Sequence, residues 1–345
     1  MKDGEHPMSQ TGIRRTTRGT GGAAEAAPPV PPRRGGRGRI WPLRSQQFHS
    51  KQFHSKQWAA WAFLIPVTAY LLAFYAYPLY RNLDLSLRNY TVESFVQGNA
   101  PFTGWANYAA VIHDPTFMPA LLHTIVFTVV SLIFQFSIGL ALAVFFIRNF
   151  RLSGFLRALF LVPWLLPLIV SASTWSWMLN SDSGIVNFGL HYVGIGPVDW
   201  LTSPRWALTS VVIANIWIGI PFNLVVLYSG LQAIPADINE AAAIDGANGW
   251  RAFWRITFPL LRPVSAITLL LGLIYTLKVF DIIWIMTEGG PAGASTTFAT
   301  WSYQLGFANM LPAFGPSAAV GNLLIVMALI AGLIYIRVQR RQQPR

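Results

Sequence analysis

Six apolar stretches, each long enough to cross a bilayer, dominate this chain of 345 residues. They run Ala59–Tyr80, Leu121–Ile147, Phe155–Met178, Ala207–Ser229, Val264–Met286 and Ala319–Ile336. A spanning helix needs roughly 20 apolar residues, and each stretch is too long for an ordinary buried strand. Pro66, Pro78, Pro163, Pro167 and Pro221 fall inside or at the ends of these segments. In lipid, neighbouring helices can satisfy the backbone groups that proline frees, so six spanning helices are expected. Only 11% of the residues are charged, against about 25% in a soluble domain. The expected fold is an all-α integral membrane protein with six transmembrane helices.

Lys and Arg placement orients these spans. Eleven of the 25 lie before Trp58. Arg148, Arg151 and Arg157 follow the second span, Arg251, Arg255 and Arg262 the fourth, and Arg337, Arg340, Arg341 and Arg345 the sixth. The alternate loops carry only Arg81, Arg88 and Arg205. This bias predicts that both termini and the loop after the fourth span face the cytoplasm. It also explains the net charge of +12 without nucleic acid. The chain has no cysteine, which excludes disulfides and thiolate metal sites.

Residues 1–57 read as a disordered basic tail, rich in Gly, Pro and Arg, and residues 58–345 as the membrane domain. The tail suits attraction to anionic lipid. It holds a tandem QFHSK, at Gln47–Lys51 and Gln52–Lys56, best read as a juxtamembrane duplication. His49 and His54 are weak candidates for metal. A cleaved signal peptide is not expected, because the first apolar run is long and far from Met1; Met8 offers another start. The outer loops contain FTGWANY (Phe102–Tyr108), NSDSGIVN (from Asn180) and TEGGP (from Thr287), which predict ordered turns at a membrane interface.

The loop after the fourth span, residues 230–263, reads GLQAIPADINEAAAIDGANGWRAFWRITFPLLRP. Pro235 suits a first helical turn, and Asp237 and Glu240 favour its positive end. Ala241, Ala242 and Ala243 favour helix and give a smooth face. Gly246 permits a left-handed turn, and Asn248 is placed to cap a second helix ending at Pro259. Two short helices joined at a glycine are expected, shaped to enter a groove on a partner.

This segment resembles the EAA signature of permease subunits of binding-protein-dependent ABC importers. The match lies in Glu240–Ala242, Asp245–Ala247 and Ile256–Pro259, with Phe258 where Leu is commoner. The Asp-Gly-Ala form and Pro263 resemble the carbohydrate-importing branch. FTGWANY, Leu159–Pro167, NSDSGIVN and Phe280–Pro291 extend the resemblance over most of the chain after Trp58. It is most like the branch related to the larger permease of the maltose importer.

The resemblance implies a type I ABC importer permease fold in a prokaryotic cytoplasmic membrane. It implies a heterodimer with a second permease, two ATP-binding subunits and an extracytoplasmic sugar-binding protein or lipoprotein. The permease itself would be non-catalytic and without cofactor, with Mg-ATP on the ATPases. Glu240, Ala241, Ala242, Asp245, Gly246, Ala247, Ile256 and Pro259 would form the coupling helix region seated on the ATPase, Glu240 meeting a basic residue there.

Polar side chains within spans are rare and usually functional. Asn215, Gly219, Phe222 and Asn223 on the fourth span and Tyr275, Thr276, Lys278 and Asp281 on the fifth are therefore the candidate solute pathway. By the same resemblance Asn215, Ile218, Gly219, Phe222, Tyr275, Thr276 and Val279 match sugar-contact positions, though two Asn of the relative are replaced by Thr276 and Val279. Phe222 and Tyr275 would stack on a pyranose, with Asn215 and Thr276 supplying polar contacts. The competing expectation is that the polar groups bridge helices. Lys278 and Asp281 are expected to pair across one helical face, and Trp175, Trp177, Trp217 and Trp284 to pack or sit at interfaces.

Two other classes compete. A secondary transporter predicts internal repeats, broken helices and intramembrane carboxylates, for which only Asp281 offers itself. A membrane enzyme needs a constellation that His113, His123 and His191, isolated in sequence, do not make. No Walker A sequence is present. The solute class stays open between sugars and glycerol-3-phosphate.

Overall fold

The computed structural model describes residues 50–148, 150–247 and 249–342, without the side chains of 50–60, Phe95, Asn239 and 340–342. Gln47–His49 of the first QFHSK copy, the side chain of His54 and the capping assigned to Asn248 lie outside the described residues. The described residues up to Phe63 form one unit and those from Leu64 onward another. The elements below belong to the second, apart from the start of the first helix.

Helix α1 (Ser50–Leu71) continues through a π turn, Leu72–Ala76, into α2 (Tyr77–Ser86). The π turn stands just before Pro78, whose missing N–H removes one i→i−4 bond. Helix α1 begins at Ser50, within the stretch assigned to the tail. Two short helices follow in the loop after the first span, α3 (Val92–Gln97) and α4 (Ala106–His113), then the long α5 (Phe117–Phe146).

The third apolar stretch departs from expectation. It is two helices, α6 (Ser153–Leu165) and α7 (Leu168–Met178), bent by 96°. Leu166 is extended, at φ −73° and ψ 142°, because the ring of Pro167 disfavours helical backbone in the residue before it. Pro163, by contrast, is carried inside α6. With this pair counted as one span, the described residues hold six helical segments apolar enough to cross a membrane.

After α8 (Ile185–Tyr192) and α9 (Ala207–Gln232) comes α10 (Ala236–Ile244). The fifth span then differs at both ends from its sequence reading. Helix α11 (Gly249–Ala252) runs through a π turn, Phe253–Thr257, into α12 (Phe258–Leu277). Pro259 thus opens α12 where it was expected to end a short helix. The Phe258 N–H bonds to the Phe253 carbonyl, five residues back, so the chain widens by one residue just before the proline. At the other end α12 stops at Leu277, and a separate α13 (Asp281–Thr287) begins after Phe280. Helices α14 (Phe298–Tyr303), followed by a π turn, and α15 (Phe314–Gln342) complete the chain.

Helices α5 and α9 pack along each other as the spine, with α12 against both. Without a hydrophobic drive in lipid, such contacts rest on close packing. One apolar cluster centres on Phe127, Val211, Ile282 and Ile283, and another on Phe146, Leu224, Leu227 and Leu261. The loops after the first and third spans are ordered by the motifs singled out above. Asn107 donates to the Ser86 and Arg88 carbonyls at 2.9 and 2.8 Å, and Tyr108 meets Ser86 and Asn322 at 2.8 and 3.0 Å. The Asn187 side chain ties Ser181, Val198 and Trp200 together. These motifs are structural fastenings.

Candidate functional site

The two interrupted spans meet at one cavity of about 450 Å³. The elbow of α6 and α7 supplies Pro163, Trp164, Leu166 and Leu168, and the gap between α12 and α13 supplies Lys278 and Val279. Helix α9 forms the floor with Asn215, Ile218, Gly219, Phe222 and Asn223, and α12 adds Gly272, Tyr275 and Thr276. Asp281 and Ile282 come from α13 and Gln135 from α5. Every solute-pathway residue named from sequence lines this one space.

Its chemistry divides in two. Trp164, Phe222 and Tyr275 form an aromatic row, with centroids 6.2 Å apart for the first pair and 6.0 Å for the second. Opposite in character are two buried amides, Asn215 at 5% exposure and Asn223 at 1%. The Asn223 Nδ2 donates to the Gly219 carbonyl at 2.9 Å, but its Oδ1 has no partner, and neither has the Asn215 Nδ2. A buried polar atom left without a hydrogen bond costs about 1–3 kcal/mol, so these two atoms stand out in the lining. Thr276 is likewise buried.

Lys278 and Asp281 do not form the expected pair. The helix ends between them, Lys278 being the C-cap of α12 and Asp281 the first residue of α13, so they share no helical face. The Lys278 Nζ instead lies 5.1 Å from the centroid of Tyr275, a cation–π contact. Trp175 packs edge-on against Trp217 at 6.0 Å and Trp284 against Tyr303 at 4.7 Å, away from the cavity lining. His113 and His123 are bonded to the carbonyls of Ala109 and Thr296. Among the described residues no three His, Cys, Asp or Glu gather as a metal site.

Gln135 and Trp164 were not singled out from sequence. Gln135 is buried and its Nε2 donates to the Asn215 carbonyl at 2.8 Å. The signal was present, since Gln135 is the lone amide in the thirty-residue α5, and such residues in spans are rarely idle.

The second group of candidates lies on the α10 loop. Helix α10 closes in a Schellman turn: Gly246 N–H bonds to the Ala243 carbonyl at 3.1 Å and Ala247 N–H to that of Ala242 at 2.9 Å. Gly246 has φ +75°, the left-handed geometry this motif requires. Glu240, Ala241 and Asp245 are exposed and Ala242 is buried. Ile244 is 86% and Trp250 73% exposed, an unusual showing for large apolar side chains beside charged ones. Ile256 and Pro259 stand apart from this turn, on the π segment and the start of α12.

Residues 135–344 match the family described as the binding-protein-dependent transport system inner membrane component. The trehalose/maltose transport system permease protein MalF of Thermococcus litoralis is 36% identical over 277 residues, 80% of this chain and 92% of that one. The lactose transport system permease protein LacF of Rhizobium radiobacter is 32% identical over 288 residues, 82% and 94% of the two chains. A crystal structure of a bacterial ABC transporter involved in the import of the acidic polysaccharide alginate shares the fold, with a TM-score of 0.72 at 24% identity over 84% of this chain and 98% of that one.

Proposed function

The chain belongs to the family of inner membrane components of binding-protein-dependent transport systems, as a multi-pass membrane protein, and from that premise we propose that it forms half of the solute pathway of an ATP-driven carbohydrate importer. The observation that carries this reading is the cavity between the two helix breaks. A pyranose has an apolar face and polar edges. The aromatic row of Trp164, Phe222 and Tyr275 suits the face, and the unpartnered Asn215 and Asn223 atoms suit the edges. Maltose, trehalose and lactose, named for the relatives, fall within this class.

Energy would enter through α10. The Arg distribution supports a cytoplasmic position for this loop, where Glu240 and the exposed Ile244 would seat in a cleft of an ATP-hydrolysing subunit. Mg-ATP would sit on two such subunits and not on this chain, and a second permease would close the open side of the cavity. A binding protein would deliver solute from the opposite face.

Helix breaks were expected of a secondary transporter, and two are present. They therefore do not separate the classes; family membership does. The test of the solute class is uptake of radiolabelled maltose, trehalose, lactose and glycerol-3-phosphate into proteoliposomes carrying the complete transporter and its binding protein. Uptake of at least one neutral sugar supports the reading, and uptake of glycerol-3-phosphate alone overturns its carbohydrate part.

A further inference from the structure

We infer that Arg157 is a positioning residue that carries movement of the α10 loop to the cavity, by fastening the first half of the bent span to α9 just before that loop. The inference rests on reading the chain as an ATP-coupled permease.

The Arg157 Nη1 donates to the Tyr228 hydroxyl oxygen, and its guanidinium carbon lies 4.7 Å from the centroid of the same ring. Its Nε donates to the Ser153 carbonyl at 3.2 Å. Gln232 Nε2 donates to the Tyr228 oxygen at 2.9 Å. The guanidinium forms no ion pair with a described carboxylate, so α9 supplies its side-chain partner. Tyr228 and Gln232 occupy the last turns of α9, and α10 begins at Ala236. Leu156 and Ile234 flank the fastening within one apolar cluster.

The two halves of the bent span have different principal neighbours. Helix α6 packs chiefly on α9, whereas α7 packs chiefly on α13. Between them stands the extended Leu166, beside Pro167. Helices α7 and α13 also pack on α9, but on its first half around Val211 and Ala214, so a displacement confined to the Tyr228 end takes α6 with it while α7 stays with α13, and the difference is absorbed at Leu166. Trp164, Leu166 and Leu168 line the cavity around that point. An arginine merely anchoring α6 at the membrane edge would need only its charge and stem. A coupling role needs an element with two arrangements that both sites bias, and in this proposal that part falls to the elbow at Leu166.

The chain contains no cysteine, so nitroxide labels on cysteines introduced at Leu159 on α6 and Ile169 on α7, with any cysteines of the partner subunits replaced, report the bend directly. In the complete transporter the distance between them should shift on binding a non-hydrolysable ATP analogue. In Arg157→Met the shift disappears and sugar imported per ATP falls about tenfold, within the usual range of site-to-site coupling, while the ATPase still co-purifies and hydrolyses ATP. Arg157→Lys, which keeps a cation over the ring, retains most of the shift. Tyr228→Phe, which keeps the ring but loses the acceptor, gives a partial loss. A full shift with an unchanged import-to-ATP ratio in Arg157→Met overturns the inference. If the unsubstituted chain carries no ATPase and shows no nucleotide-dependent shift, the functional reading itself fails, and the inference with it.

Discussion

Gln135 lies across the backbone of Gly219: its Nε2 bonds to the Asn215 carbonyl at 2.8 Å, and a Cβ on residue 219 would fall 2.2 Å from its Cδ. The contact holds α5 against α9 beside the cavity. Gly219→Ala should force Gln135 out of place and lower the thermal stability of the purified transporter, by about 1–3 kcal/mol for overpacking of this kind. Adding Gln135→Ala should recover most of that loss. Equal stability of the single variant and the parent would mean that the two residues do not constrain each other.

Asn215 and Asn223 differ from ordinary buried amides because each has an atom with no protein partner. Asn215→Ala should therefore leave the melting temperature of the transporter nearly unchanged. It should raise the KM for sugar uptake roughly five- to tenfold, as expected for one hydrogen bond of about 1 kcal/mol or slightly more. Loss of stability with an unchanged KM would assign the residue to helix packing instead.

Lys278 rests over the Tyr275 ring, apart from Asp281. Lys278→Gln should leave uptake of a neutral disaccharide within about threefold, the cation–π contact contributing about 0.5–1 kcal/mol at an exposed site. Tyr275→Ala removes stacking surface as well and should lower uptake much further. The two variants are compared by initial uptake rates at low sugar concentration. Equal losses would indicate that the charge, and not the ring, meets the solute.

Gly246 closes α10 in a left-handed turn. Gly246→Val should cost about 1–2 kcal/mol in that turn and misdirect Ile244 and Glu240. Co-purification of the ATPase should weaken while the permease pair stays assembled, read by size-exclusion chromatography of the solubilised complex. Undiminished ATPase recovery would show that the turn does not shape the contact.

Much of this architecture was legible in the residues. Apolar runs of 18 to 27 residues located the six spans, and the EAA-like segment located α10 and its glycine turn. The interruptions were not legible. A proline inside an apolar run is compatible with a straight helix, a π turn or a break: Pro163 is carried within α6, Pro259 follows a π turn, and Pro167 ends the helix before it. Tertiary packing decides among these outcomes. The break between Leu277 and Asp281 has no proline at all, and the reading of Lys278 and Asp281 as helical neighbours failed for that reason. The cavity residues on α9 and α12 could be named because polar groups stand out in apolar runs. Trp164 could not, since an aromatic in a span looks the same whether it faces lipid or solute.

The central claim is that ATP, acting through α10, drives solute through this cavity. It is tested most directly by sugar uptake into proteoliposomes holding the complete transporter, with binding protein outside and ATP supplied only on the side that α10 faces. Uptake should require both ATP and binding protein. Glu240→Lys should abolish uptake while the complex stays assembled and continues to hydrolyse ATP. Uptake that proceeds without ATP on an ion gradient, or that Glu240→Lys leaves at the parental rate, would contradict the account.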